Sequence, residues 1–400
     1  MELTQEERQM LEGRDGKATR KAMEILVALG AIYGADRLLP AVSVQIAGVS
    51  FDNLGEAGLE FLSEMQAEGG KARVLTTLNP AGMDIENWQT MGIDADFALN
   101  QQRVIDAYAG MGIVPTCSCT PYLFGNLPHY GEHIAWAESS AVCYANSVLG
   151  ARTNREGGPS ALASALTGKT PNYGLHLSEN RRPGLTVQVE TQVSGTRAFG
   201  ALGVALGKAI ESRKLKAIPY IRGISQASLE ELKSFCASLA TYGGLALFHM
   251  EGITPESALF PAPDESLTIS QGDIEDAIRF LDAPLAADEV DFVSLGCPHL
   301  SLNEIARVAQ QLNGRKVTKT FWITTARPTK RIADQMGYTA VIEAAGAVFA
   351  TDTCCVVAPI KGRFKVMVTD SAKACYYAAA KNNFQTRFLP FDEVIEEALK

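Results

Sequence analysis

Short apolar runs of strand composition recur along the whole chain, and helical patterning separates most of them. The runs read as strands are Ser43–Ala47, Ala72–Thr76, Ile113–Thr116, Thr186–Val189, Ala217–Ile221, Leu245–His249, Val290–Leu295, Thr318–Ile323 and Ala347–Ala350. A strand followed by a crossover helix returns parallel to itself, so the chain reads as α/β, with parallel or mixed sheets flanked by helices. Thr4-x-x-Glu7, Ser228-x-x-Glu231 and Ser301-x-x-Glu304 are capping boxes that open helices. A further helix is expected near 17–33, with Met23, Leu26, Val27 and Ala31 on its inner face. A chain of 400 residues buries about three quarters of its extended surface, enough for two or three α/β cores. Gly174–Thr196 and Gly252–Asp264, rich in turn residues, are the candidate boundaries between them. Ser139–Lys169 is small and polar throughout and reads as a long binding loop.

Several function classes fall away. A net charge of −9 opposes a nucleic-acid grip, which needs a basic face. No run approaches the roughly 18 apolar residues of a membrane span. The acidic start Met1–Arg8 is unlike a signal peptide, so a cytoplasmic setting is expected. Ala163–Thr170 imitates a phosphate loop but has Ala163 where the first glycine must be, and no G-x-G-x-x-G follows a strand. His129 and His133 have zinc-helix spacing, yet Pro128 and Gly131 break the helix it requires. There is no C-x-x-C.

The eight cysteines divide into two groups. Cys143, Cys236 and Cys375 fall inside expected helices, where a lone cysteine is usually a small core hydrophobe. Cys119, Cys297 and Cys354 each come at or just after an expected strand. Ligand sites in α/β sheets form outside the carboxyl ends of strands, so three distant segments would offer thiols to one crevice. Three thiolates suit an iron–sulfur cluster. Three thiols buried in separate cores would fit the same spacing.

Val49–Gly55, Thr76–Gly82, Cys119-Thr120-Pro121-Tyr122, Trp136–Ala141, Tyr144–Pro159, Leu295–His299 and Thr351–Cys354 together resemble the catalytic chain of the aconitase X family. These motifs run in order along nearly the whole chain, and Ala151–Pro159 is highly specific. The resemblance implies an aconitase-like catalytic core and a dehydratase of β-hydroxy acids. Known members act on mevalonate 5-phosphate or on cis-3-hydroxy-L-proline. It implies cluster ligands at Cys119, Cys297 and Cys354, with neighbouring Cys117 and Cys355 left out. It implies substrate contacts at Gly48, Val49, Ser50, Asn79, Pro80, Glu138, Ser139 and Lys373, of which Glu138, Ser139 and Lys373 carry catalysis. Ordinary aconitases place two cluster cysteines in C-x-x-C. Here all three are dispersed, which leaves both a 4Fe–4S and a 3Fe–4S cluster open.

Family members also carry a small swivelling domain, fused or as a separate subunit. This chain ends after an expected helix at Phe391–Leu399, so a heterodimer with a small subunit is expected. No residue here stands out as a base for the α-proton. The superfamily uses a serine of the swivelling domain, which assigns the base to the partner. Arg152 and Arg155 either bind an anion or pin the loop through Glu156. A cation-rich cleft suits a phosphorylated substrate. A zwitterionic hydroxyproline would need an acidic residue such as Glu138 for its ammonium. Other readings are a non-catalytic cluster-binding sensor or scaffold, and a thiol hydrolase using Cys297 with His299. The latter pair, straddling Pro298, is poorly placed for nucleophile activation.

Overall fold

The structure, a computed structural model, describes residues 1–215, 217–283 and 289–400. Its strands form separate parallel sheets, each with its own core. The first sheet has the order Leu75–Leu78, Ser43–Ile46, Ala135–Trp136. The middle sheet runs His249–Met250, Pro219–Arg222, Leu185–Val189, Ser266–Ile269. The last runs Val348–Thr351, Thr320–Thr325, Phe292–Leu295, Val366–Thr369, Gln385–Phe388. Leu38–Pro40 and Lys169–Pro171 add an antiparallel ribbon to the first unit. Segment 252–264 lies between two strands of the middle sheet. No helix of the described residues is long and apolar enough to cross a membrane.

The alternation is the α/β fold expected, with instructive departures. Ile113–Thr116 is not a strand: Val114 makes a single bridge to Thr77. Pro115 has no N–H to continue a ladder. The run expected at Ala72–Thr76 pairs three residues later, over Leu75–Leu78, because the N–H groups of Ala72 and Arg73 bond to Met111 and Ala165 instead. The 17–33 helix spans Lys17–Tyr33, but its inner face is Ala18, Thr19, Ala22, Met23, Leu26 and Gly30, leaving Ala31 exposed.

Ser139–Lys169 is mostly not a loop. Ser139–Tyr144 and Gly158–Thr167 are helices, and only the stretch around Ala151–Gly157 is irregular. The small residues that resembled a loop let a buried helix pack closely, as Ala161 to Thr167 are all buried. In the middle unit the same device brings two helices together. A Cβ on Gly203 would lie 2.0 Å from the Ser238 hydroxyl, so Thr196–Ser212 and Leu229–Tyr242 cross with backbone nearly in contact.

One apolar cluster decides where the site lies. Met83, Met91, Ile93 and Ala98 of the first unit pack with Phe292, Trp322, Ala350 and Met367 of the last. Each of the large side chains among them contributes about 1.5–3 kcal/mol when fully buried. The seam holds the carboxyl ends of the first and last sheets toward one cavity. Across it Asp84 bonds Arg327 and accepts from the Thr351 N–H, while Arg327 also pairs with Asp352. That network anchors the turn leading to Cys354.

Candidate active site

A cavity of about 220 Å³ opens between the two sheets. From the first unit it is lined by Ala47, Asn79, Pro80, Ala137, Glu138 and Ser139, which follow its three strands, and by Cys119 and Arg155. From the last it is lined by Cys297 after Phe292–Leu295, Cys354 after Val348–Thr351, and Lys373 after Val366–Thr369. This is the strand-end crevice that α/β sheets use for ligands, made here by two sheets facing each other.

The cysteines Cys119, Cys297 and Cys354 share this wall, so the alternative of separate cores is not what the fold contains. Cys117 and Cys355 do not line the cavity, and Cys143, Cys236 and Cys375 are buried in helices. Cys119 follows a segment that bridges the first sheet at Val114 alone rather than a strand. Cys297 is aimed by Gly296, whose φ of +108 suits only glycine. A Cβ there would sit 2.2 Å from the Thr324 carbonyl oxygen.

Burial pushes all three thiols up, Cys297 to about 12, with the Lys373 charge pulling the other way. Such thiols are poor nucleophiles, and a bound metal would deprotonate them outright. Among the described residues, no three His, Cys, Asp or Glu side chains stand close enough to hold one metal ion. A single ion needs its sulfur ligands within about 2.3 Å. Thiols spread around a cavity instead fit a multi-iron group, in which each takes a different iron.

Glu138 and Lys373 form a buried ion pair, with side chains only 4% and 11% exposed. Burial alone would raise the Glu138 carboxyl. The Lys373 charge, with donors from Lys373, Ser140 (2.5 Å) and the Ala141 N–H (2.7 Å), holds it below the ordinary carboxylate range. Burial would lower Lys373, but the Glu138 charge raises it, so both remain ionised. Glu138 is the N-cap of Ser139–Tyr144, its side chain accepting from the Ala141 N–H. Lys373 sits in the first turn of Ala372–Tyr377, and the unfavourable dipole there is offset by Glu138.

Asn79 lines the cavity with a buried Oδ1 that has no hydrogen-bond partner. An orphaned acceptor is costly unless a ligand satisfies it. Gly48, Val49 and Ser50 do not line the cavity, although Ala47 and Asn53 on either side do. Ser50 instead donates to the Val357 carbonyl at 3.2 Å, and the Val49 carbonyl accepts from Gln101. Arg152 bonds the His176 carbonyl and Ser178, pinning the chain away from the cavity. Arg155 reaches the cavity and, among the described residues, has neither an ion pair nor a hydrogen bond. Glu156 bonds Ser160 and engages neither arginine.

Tyr377 and Lys381 also line the cavity and escaped the sequence reading. Their signal was available: Lys373, Tyr377 and Lys381 recur every four residues and so share a face. Lys381 pairs with Asp52 at 3.0 Å and donates to the carbonyls of Val356, Val357 and Ala358, closing the turn after Cys354. The His299 ring is buried against Ser118 and Thr353, leaving no pairing with Cys297 of the kind a thiol hydrolase needs.

Comparisons with known proteins agree along the whole chain. Models described as the first, second and third domains of aconitase X match residues 1–179, 183–279 and 290–400. The phosphomevalonate dehydratase large subunit of Methanothermobacter thermautotrophicus is 48% identical, covering 94% of this chain and 93% of that protein. The cis-3-hydroxy-L-proline dehydratase of Pseudomonas aeruginosa is 34% identical, over 98% of this chain and 68% of that protein. The solved holo-form of Thermococcus kodakaraensis aconitase X superposes with a TM-score of 0.92 at 43% identity, each chain covered in full.

Proposed function

The chain belongs to the aconitase X family, and from that premise we propose that it is the large subunit of an iron–sulfur hydro-lyase acting on mevalonate 5-phosphate. The observation that carries the reading is one cavity walled by Cys119, Cys297 and Cys354 together with Glu138, Ser139 and Lys373. Removing water from a β-hydroxy acid means expelling hydroxide, a poor leaving group. A cluster held by three protein thiolates supplies a Lewis acid for that hydroxyl.

The chain's own residues do the rest. Lys373 carries a fixed positive charge beside the cysteines, where carboxylate or enolate-like charge would lie. Glu138, held ionised by Lys373, Ser140 and Ala141, keeps that ammonium in place. The orphaned Asn79 Oδ1 accepts a substrate hydroxyl, and Pro80 and Ser139 shape the wall beside it. Ser50 acts through the turn at Val357, to whose carbonyl it donates. The base for the α-proton comes from a small subunit that covers the cavity.

Two considerations favour the phosphorylated substrate. Arg155, on the cavity wall, is a cation with no ion pair among the described residues and is suited to a phosphate. Glu138 is already satisfied by Lys373, which leaves little for the ammonium of a hydroxyproline. Anaerobic reconstitution with the small subunit, assayed with both substrates, tests the reading. Turnover of mevalonate 5-phosphate, weakened by Arg155→Ala through KM, is expected. Turnover of cis-3-hydroxy-L-proline alone would overturn the substrate. Full activity of this chain without a partner would overturn the assigned base.

A further inference from the structure

His299 makes contacts that none of its neighbours duplicate. Its side chain is fully buried. Nε2 lies 2.9 Å from the Thr353 carbonyl oxygen, which can only accept, so Nε2 carries the proton. In the neutral ring Nδ1 is then an acceptor, and it accepts a hydrogen bond from the Ser118 hydroxyl at 3.0 Å. The Ser118 oxygen is free to accept in turn from the Thr120 N–H at 3.2 Å. The His299 backbone N–H donates to the Cys119 sulfur at 3.2 Å, and its carbonyl accepts from buried Lys233 at 2.8 Å. Ser118 adjoins Cys119, Thr353 adjoins Cys354, and His299 stands two residues beyond Cys297.

We propose that His299 is a positioning residue: its ring clips the Cys119 and Cys354 loops to the Cys297 loop and sets the spacing of the three thiols before iron arrives. The proposal rests on the cluster reading above. Its physical content is preorganisation. The three loops come from chain positions far apart, and a cluster binding to unlinked loops would have to order them itself. The imidazole does this because its two nitrogens face opposite ways and can join two loops at once. Cys119 gains a further fixed N–H at its sulfur, the kind of contact that tunes a cluster's potential.

The test uses the full chain, reconstituted anaerobically with ferrous iron and sulfide. Iron release to an excess of bathophenanthroline is followed by absorbance, alongside the cluster's own visible and EPR spectra. Outer-shell partners of metal ligands are typically worth about 10–100-fold in affinity. His299→Ala is expected to release iron about 10–100-fold faster, with a changed spectrum. His299→Gln, whose amide offers one acceptor and one donor, should restore release to within about threefold. Phe235→Leu, in the middle core, controls for lost stability and should release iron at the native rate.

If His299→Ala does not fold, Ser118→Ala decides alone, since it removes one arm and leaves the ring's packing intact. Faster release from it supports the clip, and native release refutes it. A His299→Ala chain that holds iron as tightly as the native one would overturn the clip and leave the cluster reading standing. A native chain that binds no iron would overturn the cluster reading, and the clip with it.

Discussion

Removing Lys373 should expose what the buried pair with Glu138 contributes. At an effective dielectric near 20, two unit charges about 4 Å apart interact by about 4 kcal/mol. Truncating one member of a buried pair typically costs about 3–5 kcal/mol, because the other charge is stranded. Lys373→Met leaves Glu138 with its bonds from Ser140 and the Ala141 N–H, so its charge is only partly stranded. The expected loss is about 3 kcal/mol at pH 8, in the lower part of that range.

The loss should shrink in acid, for a definite reason. Without Lys373, burial moves the folded-state pKa of Glu138 above its unfolded value. The folded mutant then binds more protons than the unfolded chain, so its stability falls as pH rises through that interval. The native chain, whose Glu138 is held low, loses its own share only below about pH 4, so the deficit is largest at pH 8 and shrinks steadily as pH falls through about 4. Glu138→Gln should cost a similar amount, and the double variant Glu138→Gln/Lys373→Met should recover about 1–3 kcal/mol of the summed losses. Urea unfolding of the cluster-free chain, with slopes checked for constancy, reads these differences. Additive single losses, or a Lys373→Met deficit independent of pH, would refute the account of the pair.

Other expectations follow from the same geometry. Ser in place of Cys119, Cys297 or Cys354 should abolish the brown colour and most bound iron of anaerobically purified protein, whereas Cys236→Ser should keep both; full iron in all three variants would sink the ligand set. Gly296→Ala forces a side chain into positive φ against the Thr324 carbonyl. It should cost at least about 1–3 kcal/mol and lower iron content, so a native melting curve would contradict the aiming role given to Gly296. Burial, together with His133, Arg181 and Arg152, pushes His176 down to about 3. As pH falls below 6.5 the unfolded chain takes up the proton first, so His176 by itself should lower stability by about 1.4 kcal/mol per pH unit. His176→Gln should lessen the slope between pH 6.5 and 5 by that amount, leaving the part due to the other buried histidines, His249 and His299; an unchanged slope would refute the His176 share.

Much of this protein was legible in its residues because the information is local. Capping boxes at Thr4, Ser228 and Ser301 satisfy N–H groups within one helical turn, so the pattern and the structure coincide. Strands buried on both faces are short apolar runs, which is why Leu185–Val189 and Phe292–Leu295 could be read directly. The motifs of the aconitase X family also lie in the sequence, and with them the candidate cysteines. Tertiary structure decided what depends on distant partners. Ala161 to Thr167 reads as a loop until the close packing that its small residues permit is seen. Only the folded chain shows that Glu138 meets Lys373, 235 residues away, and that Arg155 reaches the cavity while Arg152 does not. Nothing local distinguishes His299 as the contact between three loops, because its partners at Ser118 and Thr353 lie 181 and 54 residues away. Sequence periodicity records which side of an element is buried, and the sheets' facing edges decide what that side meets.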